Sequence, residues 1–282
     1  MKQTSRTAKG VKNQVRKHYA GLVNDKKQRS CCAQESSCCV PEKKEKLETL
    51  GYSKGEWDAV PADAADHSYG CGNPLAFADV RNGQTVLDIG SGVGIDCFIA
   101  SKKVGRTGKV IGLDMTPEMI ERARQNAAEG GYDNVEFRFG EAEAMPVEDG
   151  SVDWVISNCV INLSPDKPKV FREIARVLKP GGRFSISDIV IGDALPDAFV
   201  RSARAWAGCV AGAIREADYV DGLLKAGLAD AVVESRVKID EASARAFIRE
   251  AGIPIGKAEL DAAVRQVAGN VWSAKMSGRK GE

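Results

Sequence analysis

The sequence predicts an α/β fold built around a mostly parallel sheet. From about residue 84 onward, apolar runs rich in β-branched residues alternate with helical patterns. A glycine-rich turn follows the first of these runs, and an acidic residue ends the second. Ligands of open α/β sheets bind at the carboxyl ends of the strands, so we expect a binding site at this turn.

The first strand is predicted at residues 84–89, and it enters the turn Gly90-Ser91-Gly92-Val93-Gly94. Glycines let the backbone turn tightly and approach a ligand closely. Their spacing differs from the G-x-G-x-x-G turn that holds a dinucleotide pyrophosphate. Asp88 precedes the turn, and a carboxylate there would repel phosphate and suit a cationic ligand. The alternative is a tight strand-to-helix turn without a ligand.

The second strand, predicted at residues 109–114, makes the ligand interpretation stronger. Asp114 ends it, twenty residues beyond Gly94, which is about where a Rossmann-type site holds a ribose. Further strands are predicted at 135–139, 152–157 and 183–188, and helices near 94–103, 117–129 and 166–178. The motif Pro180-Gly181-Gly182 ends the last of these helices and leads into a strand.

Three regions are predicted along the chain. Residues 1–66 are expected to form a helix with the apolar stripe Val11, Val15, Tyr19 and Leu22, followed by a flexible cysteine-rich tail and a short helix near 44–50, with order resuming near His67. Residues 67–192 form the binding domain. Residues 193–282 form a smaller α+β subdomain, with a strand-like stretch at 229–239, another helix, and a final strand at 271–277 that could return to the sheet.

Composition limits the classes of function. The 282 residues are 43% hydrophobic and 28% charged, as in ordinary globular proteins. We find no run of about 18 apolar residues and no signal-like start, so we expect a cytoplasmic protein that does not cross a membrane. The first 30 residues are basic, but Tyr19 is their only aromatic residue. We therefore favour a solvated amphipathic helix there over nucleic-acid binding.

The stretch TVLDIGSGVG at 85–94 resembles the binding loop of class I S-adenosylmethionine-dependent methyltransferases, which are Rossmann-like. This resemblance implies that the cofactor is S-adenosylmethionine, and that its methionine part, its ribose and its adenine each have their own contacts. The implied cofactor-binding residues are Asp88, Gly90, Ser91 and Gly92 for the methionine part, Asp114 and Met115 for the ribose and adenine, Glu141 and Ala142 for the adenine amino group, and Asn158 at the end of the fourth strand.

The chain has eight cysteines, and a disulfide framework is not expected in the cytoplasm. Cys97 lies on an apolar helix and is expected to be a buried small hydrophobe. Local C-x-x-C pairs are missing, which disfavours structural zinc. Cys159 follows the fourth strand, where the methyl donor would point, and a soft thiolate there suggests a soft substrate. The remaining cysteines are Cys31, Cys32, Cys38, Cys39, Cys71 and Cys209.

Five motifs, YGCGNP, DIGSGVGIDCFIAS, VIGLDMTPEM, SNCVINLSPDK and WAGCVAGA, together resemble the arsenite methyltransferase family over nearly the whole chain. The resemblance implies that a trivalent arsenical is bound by thiolates of Cys71, Cys159 and Cys209, and that methylated arsenicals and S-adenosylhomocysteine are formed. It also implies a fourth cysteine in a transient disulfide, for which Cys32 is the first choice and Cys31 the second, and a thiol reductant such as thioredoxin or glutathione.

Two other functions stay open at this point. One is a C- or O-methyltransferase for a quinone, a sterol or another small molecule, with the cysteines as packing residues. The other is a non-catalytic metalloid-binding protein, against which the intact set of Asp88, Gly90, Gly92 and Asp114 argues. Arsenic would attack through its own lone pair, so no general base is required, and we expect His67 to be a solvated loop residue.

Overall fold

One seven-stranded sheet organises the molecule, with the strand order β3-β2-β1-β4-β5-β7-β6. The computed structural model describes residues 7–24, 47–193, 195, 210, 212–250 and 256–282. The strands are β1 Thr85–Ile89, β2 Lys109–Asp114, β3 Val135–Phe139, β4 Val152–Asn158, β5 Leu178–Ile191, β6 Leu228–Lys238 and β7 Val271–Lys280.

The helices alternate with the strands in the middle of the chain, three precede β1, and the last two lie between β6 and β7. They are α1 Ala8–Asn24, α2 Lys54–Trp57, α3 Ala62–Asp66, α4 Ile95–Val104, α5 Pro117–Gly130, α6 Lys167–Val177, α7 Glu216–Lys225, α8 Glu241–Glu250 and α9 Lys257–Asn270. In the described part of the chain, none of them is long and apolar enough to span a membrane.

The sheet is parallel from β3 through β5, as predicted. Strand β1 pairs with β2 on one side and with β4 on the other, and β7 is inserted antiparallel between β5 and β6. The predicted return of the last strand to the sheet is therefore confirmed. The strand order reverses between β1 and β4, and such a reversal opens a crevice at the carboxyl ends of these two strands.

Apolar side chains cover both faces of the sheet, because parallel strands are buried on both sides. Val86 of β1 packs with Phe98 and Trp154 on one face. Leu87, the next residue, packs with Phe184 and others on the opposite face. Fully burying one such side chain contributes roughly 1.5–3 kcal/mol, so the central strand is held firmly where it enters the glycine-rich turn.

Residues 47–66 are ordered, which corrects the expectation that order resumes only near His67. Helices α2 and α3 lie in this stretch, and Tyr52, Trp57 and Ala64 are buried in the same core cluster as α4. The stretch was missed because these helices contain four and five residues, too few to produce a readable helical period.

Helix α1 is also less solvated than predicted. Val11 and Val15, from its predicted apolar stripe, are buried. On the neighbouring face, Lys12 Nζ lies 2.7 Å from Glu141 Oε2 and 3.0 Å from Glu143 Oε2. Lys12, one of the basic residues of the N-terminal stretch, therefore forms ion pairs within the protein.

The C-terminal part continues the same sheet through β6 and β7. Two helices, α8 and α9, stand between these strands where the sequence indicated one. Ala244 and Ile248 of α8 are buried in one cluster with Val264 and Val267 of α9. The cluster also contains Cys159, so this region packs against the end of β4.

Candidate active site

A cleft of about 970 Å³, counting its open mouth, lies at the carboxyl ends of β1, β2 and β4. The strand ends contribute residues predicted from the sequence, and helix α1 contributes Lys12, Val15 and Tyr19 from the other side. The predicted residues that line the cleft are Gly90, Ser91, Gly92, Asp114, Met115, Ala142, Asn158 and Cys159.

The glycine-rich turn has the conformation that its sequence predicts. Gly90, Gly92 and Gly94 have φ angles of 76°, 53° and 104°, in the region that L side chains rarely adopt. A Cβ at Gly90 would lie 2.1 Å from Val160 Cγ2, whereas a Cβ at Gly92 would have no atom within 4 Å. Gly90 is thus needed for packing, and Gly92 leaves open space beside the cleft.

Asp114 holds the turn against the end of β2. Its carboxylate accepts hydrogen bonds from the backbone N–H of Gly92, at 3.0 Å, and of Thr116, at 2.8 Å. Burial raises the pKa of Asp114, and these backbone hydrogen bonds oppose the rise. The carboxylate is half-buried and lines the cleft, where it can accept further hydrogen bonds from a ligand's hydroxyl groups.

Asp88 lies under the turn and is not among the residues that line the cleft. Its side chain is buried, and Oδ2 accepts a hydrogen bond from Cys97 Sγ at 3.3 Å. Burial, together with the nearby Asp96, raises the pKa of Asp88 well above its ordinary value. The predicted contact of Asp88 with the methionine part stays a prediction, but Asp88 is placed to support the turn.

Asp96, which sequence reasoning missed, lines the cleft instead. It lies in the first turn of α4, where the helix dipole favours a negative charge. Its carboxylate accepts hydrogen bonds from Tyr52 Oη at 2.8 Å and from Asn158 Nδ2 at 3.2 Å. Burial raises its pKa to about 6, against the effect of these two bonds. The sequence feature that could have identified Asp96 as a cleft residue is its position just after the glycine-rich turn.

Polar atoms in the cleft are left without partners. Ser91 Oγ and Tyr69 Oη are both buried, and neither has a hydrogen-bond partner among the described residues. Both residues line the cleft beside the acidic Asp96 and Asp114. Because buried polar groups normally form hydrogen bonds, these two atoms fit a ligand that carries polar groups. The acidic side chains fit a ligand with positive charge.

Glu141 and Ala142 follow β3 as predicted, but their side chains differ in placement. Ala142 lines the cleft. Glu141 is not among the lining residues, and its carboxylate forms ion pairs with Lys12 and Arg16 of α1. Arg16 Nε also donates a hydrogen bond to the carbonyl of Met115, at 3.0 Å. Glu141 therefore helps to hold α1 beside the cleft.

Asn158 joins the end of β4 to the loop that carries Cys71. Its Oδ1 accepts hydrogen bonds from the backbone N–H of Cys71, at 2.9 Å, and of Gly72, at 3.2 Å. Its Nδ2 donates to the carbonyl of Gly72, at 2.6 Å, and to Tyr52 Oη, at 3.0 Å. Asn158, predicted as a cofactor-binding residue at the strand end, thus also positions one of the predicted thiols, and its contact with the cofactor stays a prediction.

The structure brings Cys71 and Cys159 together. Their Sγ atoms and a carboxylate oxygen of Asp188 all lie within 4.8 Å of one another. Cys159 is buried, and its φ of 61° is a left-handed conformation that is costly for a side chain of this kind. Its backbone N–H donates to the carbonyl of Ser187 at 2.7 Å. This bond helps to keep the thiol at the edge of the cleft despite the strain.

Asp188 is the other residue that sequence reasoning missed. It is fully buried, and burial raises its pKa to about 6, while backbone hydrogen bonds and the charge of Lys167 limit the rise. The sequence feature that could have drawn attention to Asp188 is an acidic residue within the apolar strand β5. An acidic residue in a buried strand requires dedicated hydrogen-bond donors, and the sequence does not show where they come from.

Comparisons with known proteins agree with this geometry. A family model described as a methyltransferase domain matches residues 81–248. The crystal structure of an arsenic(III) S-adenosylmethionine methyltransferase from Chlamydomonas reinhardtii is 34% identical with a TM-score of 0.67, covering 81% of this chain and 73% of that chain. This chain belongs to the arsenite methyltransferase family.

Two curated arsenite methyltransferases extend the comparison within the family. The protein from Halobacterium salinarum is 47% identical over 211 residues, which are 72% of this chain and 53% of that protein. The protein from Aquipseudomonas alcaligenes is 40% identical over 167 residues, which are 57% of this chain and 48% of that protein. The chain thus spans about half the length of these relatives.

The structure describes only some of the other cysteines of this arsenite methyltransferase family member. Cys31, Cys32 and Cys209 lie outside the described residues. Cys97 is buried in the core, as predicted, and burial raises the pKa of its thiol well above the ordinary value.

His67 is not the solvated residue that was expected. It is half-buried and lines the cleft, and its Nδ1 lies 2.9 Å from the backbone carbonyl oxygen of Asp63, within hydrogen-bond distance.

Proposed function

We propose that this chain transfers methyl groups from S-adenosylmethionine to trivalent arsenic, supplied as arsenite or methylarsenite, and forms methylated arsenicals and S-adenosylhomocysteine. The observation that carries the proposal is the meeting of Cys71 and Cys159 at the edge of the cleft, although 87 residues lie between them in the sequence. A packing role for the two thiols would not require the strained backbone at Cys159. Membership of the arsenite methyltransferase family supports the same substrate.

The cleft has the features that S-adenosylmethionine needs. Asp96 and Asp114 can balance its positive charges and accept hydrogen bonds, and the unpartnered hydroxyls of Ser91 and Tyr69 offer further polar contacts. The open space at Gly92 permits close approach of the backbone. When bound, this cofactor supplies an electrophilic methyl group on a sulfonium. The residues that line the cleft would hold this group, and Cys159 is one of them, so the methyl group and a thiol-bound substrate would be brought close together.

Cys71, Cys159 and Cys209 are proposed as the arsenic ligands. Free thiols with a pKa near 8.5 are only about 3% ionised at neutral pH, so coordination must displace their protons. We therefore expect arsenical affinity to rise with pH. Arsenic attacks through its own lone pair, which means that the protein needs to position it more than to activate it.

The chemistry of turnover adds two further elements to the proposal. Cys32, or Cys31 as the second choice, is proposed to form a transient disulfide with a ligand cysteine, and the two electrons released reduce the methylated arsenic from +5 to +3. A thiol reductant of the thioredoxin or glutathione type would then restore the thiols. Substitution of Cys31 or Cys32 by serine is expected to weaken the binding of inorganic arsenite or the first methylation.

Product analysis tests the proposal directly. The full chain is incubated with S-adenosylmethionine, glutathione and arsenite, and both S-adenosylhomocysteine and arsenic species are quantified by chromatography and mass spectrometry. We expect S-adenosylhomocysteine only when arsenite is present, in step with methylated arsenic. A reaction without arsenite controls for hydrolysis of the cofactor. A second reaction, with demethylmenaquinone in place of arsenite, controls for a quinone substrate. Arsenic that stays unmethylated would refute the proposal.

A further inference from the structure

A fully buried carboxylate lies beside the two thiols, and the thiol chemistry proposed above does not use it. An oxygen of Asp188 is within 4.8 Å of the Sγ atoms of both Cys71 and Cys159. Asp188 has no exposed surface, in a position where an apolar residue would cost less to bury. The placement of a charge here calls for a specific role.

The carboxylate of Asp188 is held by four hydrogen bonds. Oδ1 accepts from Asn162 Nδ2 and from the backbone N–H of Ile189, both at 2.9 Å. Oδ2 accepts from the backbone N–H of Asn162 at 3.1 Å and from Tyr219 Oη at 3.2 Å. Two ionised oxygens have about four acceptor positions in total, and these four donors occupy them. The carboxylate is therefore unsuited to bind arsenic and remains available only as a charge.

Among the described residues, one cation acts on this charge. Lys167 is a buried cation whose charge acts on Asp188. Its Nζ nevertheless donates to the carbonyls of Asn162, at 3.3 Å, and Ser164, at 3.2 Å. The other titratable groups that face Asp188 from the described part of the chain are the Tyr219 phenol and the two thiols, which are neutral when protonated. The field of Asp188 thus acts on whatever the thiols hold.

Methyl transfer to arsenic moves a positive charge into that field. Arsenic bound by three thiolates is neutral. Its lone pair forms the new As–C bond while the S–C bond of the sulfonium breaks, and the electron pair of that bond stays on sulfur as a neutral thioether. Arsenic is formally oxidised from +3 to +5 by the methyl group it gains. The positive charge leaves sulfur and appears on arsenic, next to Asp188.

We propose that Asp188 is a fixed anion that stabilises the positive charge developing on arsenic during methyl transfer. The inference rests on the proposed function. A preorganised charge aimed at the site of charge development lowers the barrier without any rearrangement during the reaction. At an effective dielectric constant near 20, a unit charge about 5 Å away has a large effect, so loss of the charge should slow the chemical step by about 10- to 100-fold.

The test replaces the charge but keeps the shape, with Asp188→Asn, and uses Tyr219→Phe as the matched control that removes one hydrogen bond and keeps the charge. Single-turnover methylation is measured at pH 8 with saturating arsenite. Affinities for phenylarsine oxide and for S-adenosylmethionine are measured by titration calorimetry. We expect Asp188→Asn to lose about 10- to 100-fold in rate with both affinities within about threefold of wild type. Tyr219→Phe should stay within about fivefold of the wild-type rate.

Four results would overturn the inference. An unchanged rate in Asp188→Asn would remove the electrostatic role, and an equal loss in Tyr219→Phe would assign the effect to the hydrogen-bond network. If Asp188→Asn does not fold, the methylation rate of Lys167→Gln tests the inference instead. Removing the opposing cation should raise this rate severalfold. A lower or unchanged rate would contradict the proposal. A wild-type enzyme that forms no arsenite-dependent S-adenosylhomocysteine would overturn the proposed function as well, which separates the two failures.

Discussion

The side-chain carbonyl of Asn158 accepts a hydrogen bond from the backbone N–H of Cys71 at 2.9 Å. Because Asn158 ends β4 and Cys159 follows it, one strand end places two of the three proposed thiol ligands. The amide group of Asn158 also occupies the space beside Gly70, where a Cβ would lie 2.3 Å from Nδ2. The loop of Cys71 is thus fitted to one side chain.

Replacing Asn158 by alanine should uncouple the two thiols. The variant loses the hydrogen bonds to the Cys71 loop, each contributing roughly 0.5–1.5 kcal/mol. We expect a melting temperature several degrees lower, and methylation reduced by about 100-fold because the sulfur atoms no longer meet. Thermal unfolding and steady-state methylation are the measurements. A fully active but destabilised variant would show that Asn158 has only a structural role.

Serine in place of Cys71, Cys159 or Cys209 should abolish methylation, since a hydroxyl is a poor ligand for a soft metalloid. S-Adenosylmethionine binding, followed by calorimetry, should stay within about threefold of wild type because the proposed cofactor contacts are other residues. Cys97→Ala is the matched control, as its thiol lies in the core and contacts Asp88. Full activity in any of the three serine variants would remove that residue from the site.

Two glycines of the turn should respond differently to alanine. Gly90→Ala places a methyl group against Val160 and should destabilise the fold by about 2 kcal/mol or more. Gly92→Ala meets no atom, so it should cost only about 1 kcal/mol of backbone strain and should mainly weaken S-adenosylmethionine binding. Urea unfolding and cofactor titration separate the two effects. Equal losses of stability would contradict this difference.

The stability of the protein should depend on pH through Asp96. Burial raises its folded-state pKa to about 6 from an ordinary value of 3.8. Between these two values the folded state binds more protons than the unfolded state, so this group lowers the free energy of unfolding as pH rises through that window. Below pH 3.8 the carboxyl is protonated in both states and this contribution vanishes.

The stability of Asp96→Asn relative to wild type should therefore increase by about 2–3 kcal/mol between pH 4 and pH 7. Urea unfolding of both proteins at several pH values measures this difference. Asp133→Asn, at an exposed position, controls for the loss of one carboxylate. A difference between Asp96→Asn and wild type that does not change with pH would show that Asp96 is not protonated in the folded state near pH 5.

The central sheet could be predicted from sequence because its signals are local. Strands β2 and β3 have the predicted bounds, and α5 begins at Pro117, the predicted start of a helix near 117–129. The short helices α2 and α3 could not be predicted, since Tyr52 and Trp57 owe their burial to contacts with α4, not to a period of their own. Tertiary packing overrides such weak local patterns.

The sequence by itself determined the mostly parallel sheet, the glycine-rich turn and the residues at the ends of its strands, because strand-helix alternation and glycine spacing follow from near neighbours along the chain. Only the tertiary structure decided that Asp96 lines the cleft while Asp88 lies beneath it. It also decided that the carboxylate of Asp188 lies beside the thiols of Cys71 and Cys159. The physical reason is that burial and the supply of hydrogen-bond donors to a carboxylate come from distant segments. Charges in a protein interior acquire their roles from those surroundings.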